Sequence, residues 1–492
     1  MSTQSLSTEA VIGLDLGTSG VKAVLLTAAG ELVAEAGAPL EVSRPQPLWS
    51  EQAPADWWQA IDAALLRLRE SAGPHWSQVR ALAVAGQMHG AVLLDAAGGV
   101  LRPAILWNDG RSQAECDELE AREPATRRIT ANRAMAGFTA PKLLWVAKHE
   151  PDVFARTAKV LLPKDWLVWR LCGQMSTDTS DAAGTLWLDV ARRQWSEAML
   201  AACGMRVQQM PALHEGPEPV GTLRDEWASR WELPRGVQVA AGAGDNAAGA
   251  IGVGVVRPGQ ALLSLGTSGV IFTPVAEPLA APERGVHTFC HALPGVWHQM
   301  AVMLNAASAL AWWSRITGAE PASLLAELPD ASAREAAPLF LPYLSGERTP
   351  HADPGATATF LGLTAAHDRP AMSYAVIEGV AHVFADGLAA LQAAGSRPER
   401  LLAIGGGARS PAWLQLIADT LQLPVDQPAG AEVGPALGAA RLALLALGHP
   451  FEAVVQPPRI ACSYMPDAQR VPACQRRLQR FRAAWAPLRA LS

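Results

Sequence analysis

A chain of 492 residues is too long for one typical core and calls for two to four domains. Half of its residues are hydrophobic and 17% are charged, so large cores are expected and extended disorder is not. The net charge of −6 is spread with both signs mixed, which excludes a basic face for nucleic acid.

Ala10–Leu16 is apolar except for Asp15 and predicts a strand ending in a Gly-Thr-Ser-Gly turn. Val21–Thr27 and Glu31–Ala36, separated by the turn Ala28-Ala-Gly30, complete a small antiparallel meander. Arg44–Pro54 reads as a Pro-rich loop. Over Pro54–Glu70, Trp57, Ile61, Leu65 and Leu68 recur at three- and four-residue spacing, which predicts an amphipathic helix with Pro54 in its first turn. Val79–Ala85 predicts a buried strand running into Gly86-Gln-Met-His-Gly90. Short strands follow at Val92–Leu94 and Ala104–Trp107, the second opening into Asn108-Asp-Gly-Arg111. Residues 112–172 read as mostly helical with Pro141 and Pro163 as breaks, and Gly173–Gly184 reads as a polar loop.

The second half restarts the pattern. Ala261–Leu265 and Val270–Thr273 predict a hairpin, and Leu304–Thr317 and Met372–Ala394 predict helices. Leu401–Ile404 predicts a strand feeding Gly405-Gly-Gly-Ala-Arg-Ser410 and a helix over Pro411–Leu421. A small-residue helix at Gly434–Leu447, short and interrupted by Arg441, and a basic helix at Ala473–Ala490 close the chain. The boundary is expected at Gly252-Val-Gly254, giving domains 1–253 and 254–492. Cys116, Cys172, Cys203, Cys290, Cys462 and Cys474 are scattered without a Cys-x-x-Cys pair, as reduced cytosolic thiols are. The segment MSTQSLSTEA has neither a basic region nor an apolar run, and no charge-free apolar run of about 18 residues occurs. A cytoplasmic protein without a leader or membrane span is expected.

The turn Leu16-Gly-Thr-Ser-Gly-Val21 recurs half a chain later as Leu265-Gly-Thr-Ser-Gly-Val270. That spacing is too long for a solenoid and reads as two similar domains. Amide N–H groups at such a turn form an anion cradle, and the hydroxyls add donors. Gly17, Thr18 and Ser19, with Gly266, Thr267 and Ser268, are therefore candidate phosphate contacts. Ordinary hairpins also use Gly-rich turns, though they have no need of Thr-Ser twice. Asp15 beside such a cradle is unfavourable unless a cation lies between; Mg²⁺ held largely through waters fits, and an Asx-type turn cap is the alternative. Its counterpart is Ser264, so only the first half would carry the metal. Lys22 is a candidate phosphate contact or a solvated strand lysine.

Asp245 stands among small residues that allow close backbone approach to a ligand. It is a candidate catalytic acid or base, with a plain helix N-cap as the alternative. A helix N-terminus would keep it ionised, with an ordinary pKa of about 4. Met88-His89 leaves a buried strand, where ligands of open α/β sheets collect, or is a satisfied loop pair. Trp107-Asn108 would lie nearby as an aromatic wall suited to a sugar. Gly405–Ser410 outlines a nucleotide turn, without the Lys of a P-loop or the spacing of a dinucleotide fingerprint.

These residues resemble the FGGY carbohydrate kinase family over nearly the whole chain. The motifs are Gly13-Leu-Asp-Leu-Gly-Thr-Ser19, Pro47-Leu-Trp-Ser-Glu-Gln52, Gly86-Gln-Met-His-Gly90, Trp107-Asn-Asp109, Leu162-Pro-Lys-Asp165, Ser180-Asp-Ala-Ala-Gly184, Gly242-Ala-Gly-Asp-Asn246, Tyr343-Leu-Ser-Gly-Glu-Arg348 and Gly405–Ser410. Gln87-Met-His89, Leu162–Asp165 and Asp181–Thr185 resemble most the bacterial members that phosphorylate D-xylulose at its 5-hydroxyl. The resemblance implies an α/β protein of two duplicated actin-like ATPase (ribonuclease H-like) domains with a cleft between them. Sugar would enter from the first domain and ATP from the second. It implies Asp245 as catalytic base and Asp15 as the acid that organises Mg²⁺-ATP. Met88, His89 and Asn246 would contact sugar, and Gly266-Thr267 and Gly406-Gly407, with Ala408 beside them, would contact nucleotide. The expected reaction is ATP-dependent phosphorylation of D-xylulose, with a homodimer as the default assembly. D-Ribulose, L-xylulose, a polyol or gluconate is the alternative substrate. An actin-like ATPase acting on protein partners is the alternative class.

Overall fold

The computed structural model describes residues 9–430 and 434–491. Residues 1–8, part of the segment considered above for a leader, lie outside them. The chain divides into two compact units. Unit 1 comprises Met1–Gly254, Phe289–Trp297 and Val433–Pro457; unit 2 comprises Val255–Thr288, His298–Glu432 and Pro458–Ser492. Two segments of the second half thus belong to the first unit.

In unit 1, β1 (Ala10–Leu16), β2 (Gly20–Thr27) and β3 (Leu32–Pro39) form the antiparallel meander. The periodic segment after it is α1 (Pro54–Ala72), which buries Trp57, Ile61, Leu65 and Leu68 on one face. That stripe packs with Ile12, Leu14 and Leu25 of the sheet in one core. β4 (Val79–Gly86) runs parallel to β1. The sheet is completed by β5 (Pro219–Thr222), β6 (Gln238–Ala240) and β7 (Ala243–Gly244), in the order β5-β6-β4-β1-β2-β3 with β7 also paired to β4. The helix Gly434–Ala446 packs on β1, β4 and the helix Asp245–Gly252.

Two expectations change here. Pro141 and Pro163 do not break helices; they lie in the first turns of Thr139–His149 and Pro163–Cys172. The first turn tolerates proline because its N–H groups have no helical partner. Gly173–Gly184 is not a polar loop. It contains the strand Ser176–Asp178 and the helix Thr179–Ala183, all buried, because Asp178 pairs there with the buried Lys164 and with the Ser180 N–H.

In unit 2, β8 (Gln260–Leu265) and β9 (Gly269–Val275) form the second hairpin. With β10 (Val286–Cys290), β11 (Trp297–Met303), β12 (Arg400–Ile404), β13 (Val425–Pro428) and β14 (Ile460–Tyr464) they build a sheet in the order β10-β11-β9-β8-β12-β13-β14. The 25-residue helix Arg369–Ala393 is long and apolar enough to cross a membrane by length and composition, but 89% of its apolar window is buried inside the protein. It is a core helix, with Val376, Val380 and Phe384 in the same cluster as Leu263. The helix after the hairpin starts at Ala307 rather than at Leu304, because Ala306 has φ −123° and ψ −104°, outside the helical region.

Candidate active site

Three neighbouring parallel strands of unit 1 end together. In register, Asp15 of β1 faces Ala85 of β4, and Gly86 of β4 faces Gly244 of β7. The residues that follow therefore emerge at one sheet edge: the Gly17 turn from β1, Gln87-Met88-His89 from β4 and Asp245 from β7. Ligands of open α/β sheets collect at this carboxyl edge.

Asp245 is the first residue of the helix Asp245–Gly252, and Gly244 occupies the N-cap without a side-chain cap bond. The plain N-cap reading of Asp245 therefore fails. Its Oδ1 instead accepts the Asn246 N–H at 2.7 Å and Asn246 Nδ2 at 2.8 Å. Burial raises its pKa to about 6, against the lowering by these two bonds. The ordinary value of about 4 expected at a helix N-terminus is not met, because desolvation of the carboxylate outweighs the donors around it. The surrounding small residues also have another use. Gly242 has φ +81°, and a Cβ there would lie 2.0 Å from Val84 O; a Cβ at Gly244 would meet Met88 Cγ at 3.0 Å. Their smallness lets β7 approach β4 and makes room for Met88, so it is explained by packing.

Met88 is buried beneath this segment. His89 adopts φ +70°, a left-handed conformation uncommon for a non-glycine residue. Its Nδ1 lies 2.7 Å from Gly184 O, so Nδ1 carries the proton and Nε2 is the acceptor nitrogen of the ring. The His89 ring stands edge-on to Phe138 at 4.7 Å and tilted to Phe289 at 6.3 Å. Its carbonyl accepts from Lys142 Nζ at 2.8 Å and from Thr139 Oγ1 at 3.1 Å. Burial lowers the Lys142 pKa to about 7, opposed by the Asp109 charge. Trp107 and Asn108 are exposed. Trp107 Nε1 donates to Thr18 Oγ1 at 2.9 Å, which fixes the indole over the first turn.

Thr18 in turn donates to Gln87 Oε1 at 2.9 Å. Its hydroxyl proton is thus committed to the protein, and the expected extra donor to a phosphate is not available from it. Gly17 and Ser19 flank it in the turn, with Ser19 exposed. Lys22 pairs with Glu35 at 3.3 Å, both partly exposed, a surface pair of small energetic weight.

Asp15 is raised to about 7 by burial and by the Asp245 charge, with Lys22 lowering it. Its Oδ1 is buried and has no hydrogen-bond partner, so that oxygen does not cap the turn. An unsatisfied buried carboxylate oxygen beside a second acid fits a cation. Among the described residues no three His, Cys, Asp or Glu side chains gather for a metal. That donor set suits Mg²⁺, which keeps waters and phosphates as most of its ligands.

In unit 2, β8 and β12 are parallel neighbours with Ser264 opposite Ile404, so their two glycine turns emerge side by side. Gly405 has φ +94°, and a Cβ there would lie 2.8 Å from the Leu265 carbonyl carbon. The carbonyls of Gly266 and Thr267 accept N–H groups of Ala307 at 2.8 Å and Ala306 at 3.1 Å. Thr267 and Gly406 are exposed and Ser268 partly so, whereas Gly407 and Ala408 are buried. Ala408 therefore packs inward, its carbonyl accepting from Gln427 Nε2 at 2.8 Å.

Several participants are not among the candidate residues singled out in the sequence. Gln52 and Gln87 join α1 to the first turn, Gln87 Nε2 donating to Gln52 Oε1 at 3.0 Å and Gln52 Nε2 to Thr18 O at 2.8 Å. Phe289 reaches His89 from the second half of the sequence. Arg193 anchors that segment through Val296 O at 2.9 Å and His291 O at 3.1 Å. The buried Lys164 and its acids lie in Leu162–Asp165 and Asp181–Thr185 or next to them, and those motifs are the signal that points to them.

The N-terminal domain profile of the FGGY family of carbohydrate kinases matches residues 10–252, and its C-terminal domain profile matches residues 261–447. The chain is similar to a xyloylose kinase from Brucella ovis, with TM-score 0.96 and 49% identity over 98% of this chain and 100% of that one. A xylulose kinase from Rhodospirillum rubrum superimposes with TM-score 0.90 and 32% identity, over 98% of this chain and 99% of that one. The fold is the two-domain actin-like (ribonuclease H-like) α/β fold, and the protein is a sugar kinase, a phosphotransferase with ATP as co-substrate. A xylulose kinase of Escherichia coli K12 is 52% identical over 97% of this chain and 99% of its own length. The chain belongs to the FGGY family of carbohydrate kinases.

Proposed function

We propose that the chain transfers the γ-phosphoryl group of ATP to the 5-hydroxyl of D-xylulose, with Asp245 as general base. The observation that carries the chemistry is Asp245, with its pKa raised to about 6, on the same sheet edge as Asp15 and His89. The three relatives above, called xylulose or xyloylose kinases, support the choice of sugar.

In this reading residues 1–253 carry the sugar side and 254–492 the nucleotide side, except that Phe289–Trp297 and Val433–Pro457 belong to unit 1. Met88, His89, Trp107, Asn108 and Asn246 orient the sugar. His89 Nε2 accepts from a sugar hydroxyl, since Nδ1 is engaged by Gly184. Asp245 takes the proton of the attacking hydroxyl as the bond to phosphorus forms. The transition state is loose and bonding to the nucleophile is late, so a base of modest strength suffices. The turn amides of Thr18 and Ser19, of Gly266–Ser268 and of Gly406 face phosphate oxygens, while the Gly17 N–H closes its own turn on Gly20 O at 3.0 Å. Asp15, through its buried Oδ1, would hold Mg²⁺ by way of waters; the ion when bound neutralises phosphate charge. Closure on both substrates would exclude water, whose attack would waste ATP. A cytoplasmic location agrees with six free thiols. A homodimer, the common default, completes the reading and is checked by light scattering.

ADP release with and without sugars tests the reading. Low basal turnover with strong stimulation by D-xylulose is expected. Turnover indifferent to any sugar would favour an ATPase acting on protein partners. His89→Ala separates the two substrate sides: it should raise KM for the sugar and leave KM for ATP near the parent value. An effect confined to ATP would put His89 on the nucleotide side.

A further inference from the structure

The segment Ala241–Gly244, which delivers Asp245, is held at both ends by one buried polar cluster. Lys164 is fully buried. Its Nζ lies 2.6 Å from Asp165 Oδ1 and 2.9 Å from Asp178 Oδ1, and it donates to Ala241 O at 3.4 Å. The other oxygen of Asp178 accepts the Ser180 N–H at 2.8 Å and the Ser180 hydroxyl. Ser180 Oγ, its proton given to Asp178, accepts the Gly244 N–H at 3.1 Å. Asp165 is itself anchored by the Leu162 N–H at 3.1 Å. Lys164 thus grips the carbonyl at the start of the segment, and Ser180 grips the amide at its end.

No member of this cluster is among the residues proposed to contact sugar or phosphate, and a lysine with three buried acids is a costly way to fill a core. Asp181 lies farther off, 3.9 Å from Lys164, so the lysine pairs chiefly with Asp165 and Asp178. The arrangement gives directional bonds where apolar packing would leave the segment free to slide.

We propose that Lys164, Asp178 and Ser180 are positioning residues for phosphoryl transfer, fixing Ala241–Gly244 and so where the Asp245 carboxylate stands. The proposal rests on Asp245 as the base. Misplacement of a reacting group by about 1 Å costs on the order of 10²-fold in rate.

The test is a cycle of Ser180→Ala, Asp245→Asn and the double variant, with kcat, both KM values and a melting curve. Ser180→Ala should lower kcat about ten- to a hundredfold while KM for ATP holds. In the double variant Ser180→Ala should add nothing to the loss from Asp245→Asn, because it acts only through that carboxylate. A parent-like kcat in folded Ser180→Ala, or losses that multiply in the double variant, would overturn the proposal. A parent-like kcat in Asp245→Asn alone would instead remove the base reading on which it rests. Should Ser180→Ala fail to fold, Ser180→Cys, similar in size with a weaker acceptor, takes its place in the cycle. A lowered kcat that adds nothing to Asp245→Asn would then support the proposal, and a parent-like kcat or multiplying losses would overturn it.

Discussion

Asp245→Asn should lower kcat by about 10²–10⁴-fold, the contribution of a positioned general base. That corresponds to about 3–5 kcal/mol of barrier. The substitution preserves shape and leaves an amide oxygen able to accept both Asn246 donors, so sugar binding should weaken only mildly. Folding should survive for a reason the structure supplies. The Asp245 carboxyl has a folded pKa of about 6 against an ordinary value of 3.8, raised by burial. A carboxylate whose pKa is raised by folding costs stability at pH above the folded value, and that cost vanishes below the unfolded value. Removing the charge at neutral pH should leave the melting temperature unchanged or higher. Steady-state kinetics and a melting curve on the purified variant decide the matter. An unlowered melt with kcat within about threefold of the parent would exclude the base role.

The same value sets a pH dependence. As pH falls through about 6, Asp245 takes up a proton and can no longer accept one from the sugar, so kcat/KM for the sugar should fall on the acid side. The groups that sense its charge are Asp15 and Asp181, both raised by it. At saturating Mg²⁺, where the cation keeps Asp15 ionised, this limb should vanish in Asp245→Asn; without the cation Asp15 should titrate lower for want of its negative neighbour. An acid limb unchanged in the variant would assign it to another group.

Asp15→Asn should cut activity by about 10²-fold or more at ordinary Mg²⁺, in the range seen when one charge-stabilising group is lost from a phosphoryl or acyl transfer site. It should also raise the Mg²⁺ concentration needed for half-maximal rate. Sugar binding to the ATP-free enzyme should stay nearly intact, since the proposed sugar contacts are Met88, His89, Trp107, Asn108 and Asn246. Asp15 titrates near 7 because burial and Asp245 oppose its charge, and a cation would reverse that balance. The Mg²⁺ requirement of the parent should therefore rise as pH drops below about 7. Activity of Asp15→Asn equal to the parent at ordinary Mg²⁺ would leave Asp15 as a structural residue of its turn.

Elements with a local pattern were legible from the sequence. The meander Ala10–Pro39 and the helix at Trp57–Leu68 declare themselves by apolar runs between turns and by helical spacing. The repeated Gly-Thr-Ser turn marked the two hairpins, and strand ends marked Asp15 and Met88-His89 as candidate ligand positions. Features fixed by long-range pairing were not legible. Gly173–Gly184 looked like loop because Asp178, Ser180 and Asp181 are polar, yet Lys164, distant in sequence, allows their burial. Thr18 looked like a phosphate donor, but its proton goes to Gln87 and its oxygen to Trp107. A single cut near residue 254 has no means of expressing that Phe289–Trp297 returns to unit 1, where Phe289 backs His89. The pKa of Asp245 depended on burial, which a helix-terminus argument omits.

The assignment of the sugar is tested most directly by kcat/KM in a coupled ADP-release assay across D-xylulose, D-ribulose, L-xylulose, glycerol and gluconate. D-Xylulose should give the highest value, with the phosphate on its 5-hydroxyl. A preference of about tenfold for gluconate, glycerol or D-ribulose, well within what one misplaced polar contact produces, would contradict it.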